Sequence, residues 1–190
     1  MIGLVDRAIE EFLRATYGEE LLRSVTNDMA VAEGKPLPDL QGYGQVGLAQ
    51  AAHRMSKSGS EMLEDLGSWL TRIEPIRRVM RFSGRDFKDF LMSLEELPGR
   101  AHLVVPWLDM PRLRVAHDAR SVMILIDGAA ADWQPVLIGL IRGMADDYGA
   151  LCLISAEEGS IRVDIWDECF AAGRLFRLQP DATAASAAEN

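Results

Sequence analysis

The sequence predicts an α+β protein on three observations. Apolar residues in the first half recur at helical spacing, stretches in the second half alternate with a strand's period of two, and two of those stretches flank a short EEGS turn, a hairpin signature. Helices gathered ahead of an antiparallel sheet, rather than interleaved with parallel strands, exclude the alternating α/β class. The expected architecture is a helical N-terminal lobe on a C-terminal lobe with a four-stranded antiparallel sheet and one helix.

Val5, Ala8, Ile9, Phe12 and Leu13 form the stripe of the first helix, with Gly18 as its stop after Tyr17. A short second helix, roughly Glu19 to Val25, leads into the breaker-rich loop EGKPLPDLQGYG. Two helices are expected over Gln45–Met55 and Ser60–Ile73, separated by Gly59, with Ser60 as N-cap of the second. After Pro75 comes another helical piece. Ser83 is then expected to cap a helix Gly84–Leu97, whose Phe87, Phe90, Leu91 and Leu94 make one apolar face. PRLRVAHD and SVMILID read as strands, followed by a helix Asp132–Tyr148 ended by Gly149, and ALCLISA and SIRVDIWD as the hairpin pair. The expected boundaries are one domain over residues 1–180, the helical lobe running to about 97, and a frayed tail, DATAASAAEN, with nothing to bury.

A chain of 190 residues is long enough to bury a core of its own. The net charge of −9 disfavours nucleic acid or an anionic membrane as partner, since phosphate binding needs clustered Lys and Arg. One basic run, Arg72 to Arg81 with Arg77 and Arg78, is interrupted by Glu74 and reads as a solvated helix face. MIGLVDRAIEEFL carries early acidic residues and no continuous apolar run, so it does not read as a signal peptide, and the run Val122–Ile126 is far short of a membrane span. Cys152 and Cys169 are too few for a disulfide framework, and a cytoplasmic location is the expectation.

GYGQVG, with Gly42, Gly44 and Gly47, is a literal G-x-G-x-x-G, but a dinucleotide fingerprint works only between a buried strand and a helix. The preceding KPLPDLQ holds two prolines, so the glycines are expected to mark a loop. No metal site is expected: the two cysteines are far apart, and His53, His102 and His117 have no paired spacing with them. Cys152, in a strand pattern, reads as a small core residue. No serine elbow, phosphate loop or visible Cys–His pairing gives an enzyme a starting residue, so no catalytic residue is assigned.

MIGLVDRAIEEFLRATYGEELLRSV, FSGRDFKDFLMSLEEL, MPRLRVAHD, VMILID and VLIGLIRGMADDYG, in that order and spacing, resemble the heme-nitric oxide/oxygen binding (H-NOX) family of gas-sensing domains. The resemblance covers about Met1 to Leu178, with Met29 to Tyr43 matching poorly. It implies heme between the lobes, an axial histidine after the LMSLEEL-type helix, and propionates gripped by a Tyr-x-Ser-x-Arg motif. Here the histidine position falls on Pro98 and the motif on Asp127, Ala129 and Ala131, while Pro111 matches a proline that presses on the porphyrin.

Proline offers iron no donor, and Asp127 would set a carboxylate beside the propionates, where a guanidinium is wanted. The expectation is therefore a heme-free signalling module, with no cofactor, that works through a protein partner. By the same resemblance that partner would be a histidine kinase or a cyclic-di-nucleotide enzyme. Two alternatives stand beside it: a heme sensor of NO or O2 using the displaced His102, four residues beyond Pro98, and a sensor of another apolar molecule held between the lobes. Without heme, Val5, Ile9, Phe82, Leu91, Leu94, Leu97 and Pro111 are expected to line or fill that space, because an empty cavity costs about 24 cal/mol per Å³.

Overall fold

The computed structural model describes residues 4–33, 43–106, 108–128 and 133–167. Ala129, Ala131, Cys169 and the tail from Asp181 lie outside the described residues, as does the side chain of Val5.

Helix α1 (Leu4–Tyr17) turns into α2 (Glu19–Glu33) at Gly18, whose φ of +91° is the left-handed conformation a glycine adopts without strain. α2 runs past the expected end at Val25. α3 (Tyr43–Arg54) takes up Gly44 and Gly47, which corrects the reading of GYGQVG as a loop. Glycine's low helix propensity is overridden there because Leu48, Ala51 and Ala52 are buried in the helical core.

α4 (Gly59–Leu70) is capped by Ser58, not Ser60. Ser58 Oγ accepts from the Glu61 N–H at 3.2 Å, and the Glu61 carboxylate accepts from the Ser58 N–H at 2.8 Å, a reciprocal capping box. α5 (Glu74–Arg81) opens with Pro75 in its first turn.

The single helix expected over Gly84–Leu97 is three pieces: α6 (Phe87–Ser93), a 3₁₀ turn (Leu94–Glu96) and α7 (Leu97–Val104). Asp86 rather than Ser83 caps α6, its Oδ1 accepting from the Asp89 N–H at 2.8 Å. Pro98 explains the tightening. It has no N–H to give the Leu94 carbonyl, and the Leu97 N–H takes that carbonyl instead, one residue closer in the chain. The Pro-Gly pair thus changes the winding of the helical path without ending it.

Strands β1 (Leu113–His117), β2 (Ser121–Ile126), β3 (Leu151–Glu157) and β4 (Ser160–Asp167) form one antiparallel sheet in the order β1-β2-β4-β3, with α8 (Trp133–Tyr148) packed on it. Val122 opposes Val163 and Ile124 opposes Ile161, and all four are fully buried. β3 and β4 close through Gly159 at φ +67°.

The apolar interior divides in two. Ile9, Phe12, Leu13, Leu22, Val25 and Met62 belong to a core of α1–α4. Phe87, Phe90, Leu91, Leu94 and Leu97 pack instead with Leu113, Val122, Ile124 and α8. Met80, Phe87, Phe90, Leu91, Leu94 and Leu97, from the segment expected in the helical lobe, therefore share the core of the sheet. The two halves are joined where α4 crosses α8: a Cβ on Gly67 would meet the Val136 carbonyl, a Cβ on Gly139 the Glu64 carbonyl, and Ser68 Oγ donates to the Gly139 carbonyl at 3.0 Å.

Candidate functional site

A groove of about 450 Å³ opens between the start of α7 and the first strand pair, lined by Glu95, Pro98, Gly99, Arg112, Leu113, Arg114 and Asp127. One wall is the 3₁₀ turn and first turn of α7. The other is β1 with the residue that follows β2. Leu113 pairs with Ile126 across the strands and is buried, so its neighbours Arg112 and Arg114 face outward by the two-residue period.

Arg114 opposes Leu125, and Asp127 lies diagonally across on the same face. The guanidinium reaches it, donating to Asp127 Oδ1 from Nη2 at 2.8 Å and from Nε at 3.2 Å. The hydrogen bond to Asp127, then its negative charge, push the Arg114 pKa up further. The Asp127 N–H donates to the Arg112 carbonyl at 2.9 Å, which fixes the residue just beyond the strand.

Of the residues singled out from sequence, the groove brings together Pro98 and Asp127. Pro111 is half-buried and stands two residues before Leu113. His102 is exposed in the last turn of α7 and is not among the groove's lining residues. Among the described residues expected to line the pocket, Ile9 belongs to the helical core, while Leu91, Leu94 and Leu97 belong to the core of the sheet. Phe82 is 84% exposed, a correction to the expectation that it packs inward. It caps the C-terminus of α5, and the inward position of that last turn is held by Met80.

Glu95, Gly99, Arg112 and Arg114 are groove residues that the sequence reading did not single out. The alternation R-L-R at 112–114 signals two outward arginines, but only the strand register says that Asp127 meets one of them.

The groove's chemistry does not suit heme. The Pro98 side chain has no donor to offer iron, and the Asp127 carboxylate, a negative group where propionates would want donors, is held by the exposed Arg114. Glu95 adds a second negative group to the lining. Elsewhere, among the described residues, no group of three or more His, Cys, Asp or Glu side chains is placed to hold a metal ion. His53 and His117 are exposed, and Cys152 is half-buried on β3, where burial, with Asp146 nearby, pushes its thiol pKa up. No described helix is long and apolar enough to cross a membrane.

One further polar cluster lies in the helical half. Tyr17 from α1 and Lys57 from the α3–α4 connection both donate to the Asp65 carboxylate on α4. Its partners face one another across three elements, and its role is to tie them together.

The family model described as Haem-NO-binding matches residues 2–154. A search of curated proteins gave no match. Solved H-NOX structures share the fold at low identity. The Fe(II) unliganded H-NOX protein from K. algicida is 13% identical with a TM-score of 0.69, the match covering 88% of this chain and 97% of that one. A point mutant of T. tengcongensis H-NOX is 18% identical with a TM-score of 0.63, covering 88% and 98%. A mutant H-NOX protein from S. oneidensis in the Fe(II) ligation state is 13% identical with a TM-score of 0.66, covering 88% and 97%. With the family model matched over most of the chain and the mixed helical and four-stranded antiparallel architecture in place, this protein belongs to the H-NOX family of sensor and signalling domains.

Proposed function

We propose that this chain is a heme-independent member of its family, a regulatory module that acts through a protein partner and catalyses no reaction. The reading is carried by one observation: Pro98 and Asp127, at the positions the family resemblance assigns to the axial histidine and the first propionate contact, face a groove in which Arg114 already holds the carboxylate. An axial site needs an imidazole or an equivalent donor, and a propionate site needs free donors. A histidine kinase or a cyclic-di-nucleotide enzyme in the cytoplasm is the partner class this reading carries over from the family.

The test is titration of the purified protein with hemin, followed by reduction. Hydrophobic burial contributes roughly 25 cal/mol per Å², so some porphyrin can associate without a ligand. The expected result is weak, substoichiometric absorption without a histidine-ligated ferrous spectrum, unchanged in His102→Ala. A stoichiometric Soret band abolished by His102→Ala would overturn the proposal and establish the gas sensor in its place.

A further inference from the structure

Phe82, Leu103 and Val104 are 84%, 83% and 79% exposed, and Val79 is 56% exposed. Single exposed apolar residues are ordinary, whereas a group on adjoining segments marks an interaction surface. These segments adjoin. Arg100 on α7 donates to Ser83 Oγ, on the residue after Phe82, and to the Ser93 carbonyl at 2.8 Å. Leu103 and Val104 follow Arg100 by three and four residues, within about 60° of it around the helix.

The clamp has further contacts. Arg100 also meets Glu96 at 3.2 Å. On the other side, Tyr148 donates to the Arg81 and Gly84 carbonyls at 3.1 and 2.9 Å, which fixes the turn that carries Phe82. Apolar side chains held in place before binding cost less entropy to dock.

Positive charge is concentrated in the chain beside them: between residues 72 and 85 stand five arginines and one glutamate, in a protein of net charge −9. Nearby carboxylates, Asp89, Glu96 and Asp147, are each paired with an arginine. Arg85 and Arg78 are 93% and 66% exposed, and among the described residues their ionic partners are Asp89 at 3.2 Å and Glu74 at 3.3 Å, each four residues away in the chain. Exposed pairs of that kind are worth little and exchange readily for a better partner. The sequence alone reads this run as a solvated face, and its arginines are exposed. Phe82 and Val79 stand exposed among them, which a purely solvated face does not call for.

We infer that Val79, Phe82, Leu103 and Val104, with Arg78 and Arg85, form the docking surface for a protein partner, and that the partner presents an amphipathic segment with an apolar face and flanking carboxylates. This rests on the reading that the chain acts through a protein partner, and it names the surface and the chemistry. An anionic membrane is the less suited occupant. Polybasic lipid sites draw on clustered, uncompensated Lys and Arg, and here Arg78, Arg85 and Arg100 are each already paired with a carboxylate, Glu74, Asp89 and Glu96.

The experiment uses the full chain and two synthetic amphipathic helical peptides that share one leucine face, one bearing glutamates opposite it and the other lysines. Fluorescence anisotropy should show binding of the glutamate peptide that weakens with added salt. Phe82→Ser and the double variant Arg78→Glu, Arg85→Glu should each weaken it about tenfold or more. Trp166→Ser, on the exposed outer face of the sheet, should leave it unchanged. Both surface substitutions are at exposed positions, and circular dichroism of each variant checks that the fold is kept. Equal binding of the two peptides, or binding that survives Phe82→Ser, would overturn the proposal. So would anionic vesicles sedimenting the protein in a Phe82-dependent way, or a dimer in sedimentation equilibrium that Phe82→Ser dissolves. Hemin absorption is read separately on the same samples, so a failure of the heme-free reading and a failure of the docking surface give different results.

Discussion

Gly139 on α8 meets the backbone carbonyl of Glu64 on α4 with no room for a methyl group between them. Gly67 makes the reciprocal approach to Val136, so the two helices touch backbone to backbone where the helical half joins the sheet half. Gly139→Ala should force the helices apart and cost about 1–3 kcal/mol, the range for overpacking. Gly99→Ala, on α7 with nothing within 4 Å of its Cβ position, should be neutral or stabilising by up to about 1 kcal/mol. Chemical denaturation of both variants measures the contrast, and equal midpoints would sink the idea of a tight seam.

Phe90 and Phe82 should part equally sharply. Phe90 is fully buried between Phe87 and Tyr148, with ring centroids at 6.0 and 5.9 Å. Phe90→Ala should cost about 3–5 kcal/mol, the range for an aromatic removed from a core. Phe82→Ala should change stability by no more than about 0.5 kcal/mol, as surface substitutions do. Thermal melts decide between them.

Acid should weaken the link made by Asp65. Burial raises its pKa, but the hydrogen bonds from Lys57 and Tyr17 outweigh that, and the net direction is down. A folded pKa below the unfolded value of about 3.9 means the contribution is present above that pH and fades as pH falls through the folded value. The difference in melting temperature between wild type and Asp65→Asn should therefore be largest near neutrality and shrink towards pH 3. A constant difference across the range would remove Asp65 as the cause.

On the proposed heme-independent reading, Pro98→His alone should recover little histidine-ligated heme, because the Asp127 carboxylate would still oppose a propionate in the same groove. Spectra of the reduced variant with added hemin check this. A strong five-coordinate ferrous spectrum from that single substitution would show that the axial donor was the sole missing part.

Arg114 and Asp127 should contribute little to stability, since their side chains are 64% and 41% exposed. Asp127→Asn is expected to cost less than about 1 kcal/mol. A larger loss in urea denaturation would mean that the pair supports the fold rather than only shaping the groove.

The sequence by itself determined what depends on local periodicity and turn chemistry: the helical first half, four strands, the stop at Gly18 and the EEGS hairpin. It also carried the family pattern, because order and spacing survive where identity falls to 13%. Caps were less legible. Ser58 and Asp86 win over Ser60 and Ser83 because a cap is chosen by which side chain can reach the N–H groups of a helix whose position packing has set.

Only tertiary structure decided the rest. Gly44 and Gly47 are helical because their neighbours are buried, and Phe82 is exposed because Met80 takes the inward place at the end of α5. That Asp127 is held by Arg114 follows from strand register, and that Gly67 and Gly139 are a joint follows from where two helices cross. Periodicity says which face of an element is apolar, whereas register and crossing point are set by the whole packed core, to which residues distant in the chain contribute together.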